Sequence, residues 1–309
     1  VTRIAVIIPC YNEAVPIGRV VAAFRAALPA AAIYVYDNNS TDGTARVAAA
    51  AGAVVRVERQ QGKGHVVARA FADVEADIYV LVDGDDTYDA TTAPAMVGML
   101  ARERLDMVTG TRVTDIQAAY RPGHRLGNRL LTGTVRLVFG DRITDMLSGY
   151  RAFSRRFVKS FPAMAAGFET ETEFTVHALE LSMPLGEMTT PYRDRPPGSV
   201  SKLSTYKDGA RILSTIFSLV KDHKPREFFS VVALILLLAG LAIGVPVVIE
   251  FLETHLVPRL PRAILALGLI LLAFLSLTSG LVLASVARGR KEAKRLAYLA
   301  IPATGEDAG

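Results

Sequence analysis

Ile78-Tyr79-Val80-Leu81-Val82-Asp83-Gly84-Asp85-Asp86-Thr87 is the stretch on which the fold turns. Five apolar residues in a row, rich in β-branched side chains and with no polar residue alternating, read as a strand buried on both faces. Such strands belong to parallel α/β sheets, whose ligands collect beyond the carboxyl ends of the strands. The run stops at acids there. Asp83 and Asp85, one residue apart, can turn towards a single cation. Their oxygens suit a hard ion such as Mg²⁺ or Mn²⁺, which also binds diphosphate oxygens. Gly84 between them permits close approach of the backbone. Asp86 reads either as a further ligand or as a helix cap.

The same arrangement repeats on both sides of this stretch. Ile4–Ile8, Ile33–Asp37, Val54–Val57 and Met107–Thr109 are further short β-rich runs, and Pro16–Leu28, Asp42–Ala51, Gly64–Val74 and Thr91–Arg104 have helical character between them. Alternation of this kind predicts a mostly parallel sheet with helices on its faces. Ser40 or Thr41 is the expected cap of the second helix, and Gly52 its end. Each strand is followed by a polar cluster: Pro9-Cys10-Tyr11-Asn12-Glu13, then Asp37-Asn38-Asn39-Ser40, then Gln61-Gly62-Lys63-Gly64, then the Asp83 cluster, then Gly110-Thr111-Arg112. One such cluster is an ordinary turn, but all of them fall at one sheet edge. No Gly-x-Gly-x-x-Gly follows the first strand and no Walker A sequence occurs, which argues against dinucleotide and P-loop chemistry.

Beyond the α/β region the composition changes. Of 309 residues, 51% are hydrophobic, and the mean hydropathy is +0.31. Phe228 to Ile249 and Ala263 to Ala287 carry no charge, and each exceeds the roughly 20 residues of a spanning helix. Lys221, Lys224 and Arg226 precede the first run, and Arg288, Arg290, Lys291, Lys294 and Arg295 follow the second. Positive flanks stay inside, so both outer ends, and the α/β domain with them, are expected on the cytoplasmic side of a cell membrane. Residues 205–223 space their apolar side chains as an amphipathic helix lying in the interface. The net charge of +5 therefore points to the bilayer and to phosphorylated substrates. With no Trp and 7% aromatic residues, no base-stacking platform stands out and no nucleic-acid partner is expected. The single cysteine, Cys10, rules out an intrachain disulfide.

Pro9-x-Tyr11-Asn12-Glu13, Asp37 to Thr44, Asp83-x-Asp85 and Ser148-Gly149-Tyr150-Arg151 together resemble glycosyltransferase family 2. The chain is most similar to its dolichol-phosphate mannose synthase and bacterial polyprenyl-phosphate branch, to which Arg195, Gly198 and Ser201-Lys202-Leu203 also conform. The resemblance runs from residue 3 to about 205. It implies a GT-A fold (a Rossmann-like nucleotide-binding α/β domain) over 1–204, followed by an amphipathic juxtamembrane segment over 205–227, a two-helix transmembrane hairpin over 228–287 and a basic cytoplasmic tail over 288–309. It also implies a UDP- or GDP-linked sugar donor, a divalent metal on Asp83 and Asp85, and a polyprenyl phosphate acceptor. By the same resemblance Pro9, Tyr11, Glu13 and Asp37 hold the nucleoside, with Asn38 and Lys63 lining the donor site. Arg112, Arg195 and Lys202 meet phosphates, and Ser148 and Arg151 form the acceptor phosphate site. The spans are also a candidate surface for a homo-oligomer.

A phosphate monoester has a second pKa of about 6, so such an acceptor is a nucleophile at neutral pH and needs no strong base. Asp145 is expected either to orient it, or act as base, or to be a structural carboxylate paired with Arg142 or Arg151. Glu169 and Glu171 are expected either to touch sugar hydroxyls or simply to favour a helix N-terminus. The alternatives are a polysaccharide-type family 2 enzyme acting on a hydroxyl and a non-catalytic membrane module. The lack of any Trp counts against the processive synthases, and the retained acidic pair counts against the module.

Overall fold

The computed structural model describes residues 2–113, 133, 144–165, 167, 169–193, 217–218 and 221–303. The chain runs β1 (Ile4–Cys10), α1 (Ala14–Ala27), β2 (Ala32–Asp37), α2 (Thr44–Ala50), β3 (Val54–Val57), α3 (Lys63–Asp73), β4 (Ile78–Leu81), α4 (Ala93–Arg102) and β5 (Met107–Val113). It continues with β6 (Arg151–Ser154), α5 (Arg155–Ser160), α6 (Thr170–Glu180), β7 (Leu185–Pro191), α7 (Pro225–Thr254) and α8 (Leu260–Leu299). Contacts divide it into an α/β unit, residues 1–212 with 293–309, and an apolar unit, residues 213–292.

The α/β unit is built on one sheet of order β3-β2-β1-β4-β6-β5-β7. β1 to β4 are parallel, as the alternation of strands and helices requires. Strand period sends successive side chains to opposite faces. Val6, Ile8, Val80, Val82 and Ala152 thus join Ile17, Val20, Val21 and Phe24 of α1 and Met96 and Leu100 of α4 in one core. Tyr79 and Phe153 point the other way, into rings from Phe71 of α3, Phe157 of α5 and Phe174 of α6. Each fully buried aromatic or aliphatic side chain here stabilises the fold by about 1.5–3 kcal/mol.

Two strands were not anticipated. β6 enters antiparallel between β4 and β5, with Leu81 opposite Arg151 and Thr109 opposite the same residue. Being antiparallel, it begins at the edge where its neighbours end, and so brings Met146 to Tyr150 to the ligand edge. β7 extends the sheet beside β5. Gly52 follows α2 with φ +92° as expected, whereas the cap of that helix is Gly43, not Ser40 or Thr41. Asp86 caps nothing: Asp89 caps the short 3₁₀ turn Ala90–Thr92, and Asp86 pairs with Arg19 at 3.0 Å.

In the apolar unit α7 and α8 are long and apolar enough to cross a membrane, and most of each is exposed in the protein alone. Small residues bring them together. A Cβ on Gly240 would meet Ile270 at 2.9 Å and one on Gly280 would meet Phe229 at 2.7 Å, while the Ser276 hydroxyl donates to the Phe229 carbonyl at 3.0 Å. Close approach through small residues is how helices pair without a hydrophobic drive. The α8 helix does not stop at 287 but runs through the basic residues to Leu299, and its last turns count in the α/β unit. There Tyr298 donates to Asp106 at 2.8 Å and Lys294 to Glu180 at 2.8 Å. Most of the amphipathic segment expected over 205–223 lies outside the described residues; Phe217 is described, its ring 5.1 Å from that of Phe228.

Candidate active site

The parallel strands β1, β2, β3 and β4 end at one edge, and their loops are tied to one another there. Asn12 and Asn39 hold positive φ, 52° and 66°. The Asn12 carboxamide oxygen accepts from the Thr41 N–H at 2.8 Å, and the Asn12 N–H donates to the Ser40 hydroxyl at 2.9 Å. Asp42 accepts from the Ala14 and Thr44 N–H groups, both at 3.0 Å. Burial works against its charge, but these bonds and the Thr44 hydroxyl more than offset it and hold its pKa below the ordinary range. The first two loops therefore form one rigid lip. Within that lip Tyr11 is partly exposed, Glu13 is buried just before α1, and Pro9 is the last residue but one of β1, opposite Tyr36.

Asp37 lies at the floor of the lip, 6% exposed. Its Oδ2 accepts from the Ser40 N–H at 3.3 Å, and its Oδ1 is buried without a partner. A buried carboxylate oxygen left unpaired is costly, and a ligand hydroxyl donating to it would remove that cost. Asn38 is different. Its amide donates to the Glu58 and Gln60 carbonyls at 2.8 and 2.7 Å and accepts from the Gly62 N–H at 2.7 Å. These bonds use the Asn38 side chain to moor the β3–α3 loop.

Asp83, Gly84 and Asp85 follow β4. The Asp85 carboxylate is buried and accepts from the Thr87 hydroxyl at 2.6 Å. At Gly84 a Cβ would lie 2.6 Å from the Cys10 sulfur. Asp83 keeps 31% of its side chain exposed and pairs with Lys63 at 2.5 Å. Its other oxygen lies over Gly149, where a Cβ would come within 2.2 Å. Lys63 also pairs with Glu171 at 2.5 Å, a link the sequence did not reveal. Burial would lower the Lys63 pKa, but Asp83 and then Glu171 more than offset it and hold the ammonium above its ordinary value. Tyr88, Tyr150 and Tyr192 back this loop as ring neighbours, and the Tyr88 hydroxyl accepts from the Gly149 N–H at 2.9 Å. Tyr88 and Tyr192 carried no sequence signal.

The expected acceptor residues are placed otherwise. Arg151 is fully buried, with its guanidinium donating to the Ser148 and Met146 carbonyls at 3.0 and 2.6 Å and to the Thr175 hydroxyl at 3.0 Å. Burial pushes it down to about 10, against the pull of Glu171 and Asp145. Ser148 is buried too and donates to the Gly110 carbonyl at 2.5 Å. Both hold the entry to β6 through bonds within the chain. Arg112 and Asp145 form a bidentate pair, 2.8 Å at each contact. Burial raises the Asp145 pKa, but Arg112 overrides it and keeps the carboxyl below its ordinary range. An aspartate held so firmly ionised is a weak base. Arg195, Lys202 and Arg142 lie outside the described residues. Arg193 is exposed, its N–H donating to the Thr87 carbonyl at 2.9 Å and its guanidinium 3.4 Å from Asp89.

Known proteins share this architecture. Crystal structures of Mycobacterium tuberculosis glucosyl-3-phosphoglycerate synthase superpose with a TM-score of 0.59 at 23% identity, covering 71% of this chain and 80% of theirs. One holding Mn²⁺, UDP-glucose and phosphoglyceric acid gives 0.56 at 22%, covering 71% and 79%. The fold is thus GT-A, with two long apolar helices after it. Glycosyltransferase AglJ of Haloferax volcanii is 34% identical over 254 residues, 80% of this chain and 82% of its own length. The dolichyl-phosphate hexose transferase of the same organism is 26% identical over 223 residues, 72% of this chain and 96% of its own. The family model for Glycosyl transferase family 2 matches residues 5–161, the span that builds β1 to β4, the acidic loop and the β6 entry, and on these grounds the chain belongs to glycosyltransferase family 2.

Proposed function

We propose that this enzyme moves a sugar from a nucleoside diphosphate sugar to a polyprenyl phosphate at the cytoplasmic face of a membrane. The observation that carries the reading is the joining, in one chain, of a family 2 catalytic unit and a hairpin of two helices apolar enough to span lipid. A polyprenyl chain stays in the bilayer, so an enzyme that uses it must work at the surface. The relative named as a dolichyl-phosphate hexose transferase, which aligns over 72% of this chain, supports the same acceptor class. The basic residues flanking both spans support a cytoplasmic catalytic unit.

In the transfer, an acceptor phosphate oxygen attacks the anomeric carbon. The bond from that carbon to the nucleoside diphosphate breaks, and the diphosphate leaves with the electron pair. Asp37 would accept from a nucleoside hydroxyl through Oδ1, which is buried without a partner. Tyr11, Glu13 and Pro9 line the same lip. Lys63 adds positive charge beside the leaving diphosphate, and Arg193, Arg195 and Lys202 supply the charge that brings a second anion close. Two carboxylates fit a cation that takes its other ligands from diphosphate and water. The described residues offer no cage of three or more acidic, His or Cys ligands. Asp83 and Asp85 would hold Mg²⁺ or Mn²⁺, which when bound offsets negative charge on the diphosphate.

The test is incubation of purified enzyme with radiolabelled nucleotide-sugars, undecaprenyl phosphate and Mn²⁺. Label is expected in the organic phase, with one nucleoside diphosphate released per transfer. Asp85→Asn is expected to abolish it while the fold persists. Label passing only to a water-soluble hydroxyl acceptor, or wild-type rates from Asp85→Asn, would overturn the reading.

A further inference from the structure

The Lys63 ammonium lies between two carboxylates from different elements, 2.5 Å from Asp83 Oδ1 and 2.5 Å from Glu171 Oε1. Its side chain is 10% exposed. Glu171 is 5% exposed, and its second oxygen, Oε2, is buried with no partner. Lys63 opens α3 and Glu171 lies in the first turn of α6. We propose that Lys63 is an internal counter-cation that competes with the divalent metal for Asp83, and that Glu171 is the carboxylate onto which it withdraws when metal binds. The inference rests on the assignment of Asp83 as a metal ligand made above.

An ammonium and a divalent cation on one carboxylate repel each other strongly in a partly buried site. With no donor present, the ammonium already neutralises Asp83 and makes the site a poor one for metal. A nucleoside diphosphate adds enough negative charge to keep both cations. The ammonium has three N–H donors, and the unpartnered Oε2 gives it a second acceptor on Glu171 once Asp83 turns to the metal. Metal therefore loads together with the donor, and Glu171 acts as a positioning residue through Lys63.

Mn²⁺ binding to the full chain in detergent, followed by the electron paramagnetic resonance of free Mn²⁺, tests this without any turnover. The wild type is expected to bind weakly alone and much more tightly with UDP or GDP. Lys63→Met is expected to bind Mn²⁺ more tightly than wild type in the absence of nucleotide, on the order of tenfold. Glu171→Gln is expected to bind it more weakly, because the ammonium is then left to Asp83 alone. Opposite shifts are the signature, since a general loss of order would weaken both. Lys63→Met no tighter than wild type, or both variants shifting together, overturns the proposal. Should Lys63→Met fail to show a cooperative melt, Glu171→Gln decides alone: a nucleotide-free affinity equal to or above wild type overturns it. If neither nucleotide raises wild-type affinity and Asp83→Asn changes nothing, the metal assignment itself has failed.

Discussion

Gly84, between Asp83 and Asp85, and Gly149, beside Asp83, are glycine for different reasons. A Cβ at Gly149 would fall 2.2 Å from an Asp83 oxygen, the movable end of a side chain. A Cβ at Gly84 would fall 2.6 Å from the Cys10 sulfur, inside the core. Gly149→Ala is therefore expected to rotate Asp83 out of place and cut transfer by roughly a hundredfold or more, with the melting temperature little changed. Gly84→Ala is expected to cost about 1–3 kcal/mol of stability through overpacking. Thermal melts and transfer assays on the two variants separate these outcomes; equal losses of activity at equal stability would remove the distinction. The strand-end placement of Asp83, Asp85 and Lys63 was legible in sequence because each follows a strand that runs towards one sheet edge. The internal bonding of Asn38, Ser148, Arg151 and the Arg112–Asp145 pair was not. A polar side chain looks the same in sequence whether its partner is a ligand or a carbonyl of its own chain, and these four sites spend their hydrogen bonds internally.

The strands with apolar runs and the helices with 3.6-residue spacing were found from pattern alone, and β1 to β4 are parallel as expected. β6 escaped because four residues, Arg-Ala-Phe-Ser, show neither alternation nor an apolar run, and its antiparallel insertion depends on contacts far along the chain. The α6 helix shows what such packing does to a titratable group. His177 sits edge-on to Phe157 and Phe161, shares a hydrogen with Ser160 at 3.0 Å, and has Nδ1 buried without a partner. Burial, helped by Lys294, pushes it down to about 3 from an ordinary 6.5. The folded form thus keeps His177 neutral while the unfolded chain takes up a proton below about 6.5. His177 imposes no penalty above that pH. Between about 6.5 and 3 its contribution costs stability as pH falls, by up to about 1.4 kcal/mol per pH unit. In His177→Gln, which can still bond Ser160, this slope is expected to vanish. Melting curves of both proteins from pH 8 to 4 check it: the variant should gain on wild type only below about 6.5, and a constant difference across the range would refute the assignment.

The two long apolar helices announced themselves in sequence as uncharged runs. The Gly240, Ala266 and Gly280 contacts that pair them did not, because small residues are common in apolar helices. Nor did sequence show that the α8 helix continues to Leu299 and that residues from 293 on belong to the α/β unit. Lys294 and Tyr298, one helical turn apart, reach Glu180 and Asp106, and the Arg156 guanidinium lies over the Tyr298 ring at 4.8 Å. Asp106 is fully buried and also accepts from Ser154 and Arg156. It lies just before β5, at the sheet edge opposite the acidic loop, so these contacts bear on stability and not on donor binding. A soluble enzyme made by stopping the chain after residue 212 would lose them, whereas replacing 213–292 by a flexible linker would retain them. Each link is worth about 1 kcal/mol, and a unit of this size shifts by about 2–4 °C per kcal/mol. The linker version is therefore expected to melt several degrees above the truncated one, and Tyr298→Phe in the linker version to give back part of that gain. Identical melting of all three would show that the segment adds nothing to the catalytic unit.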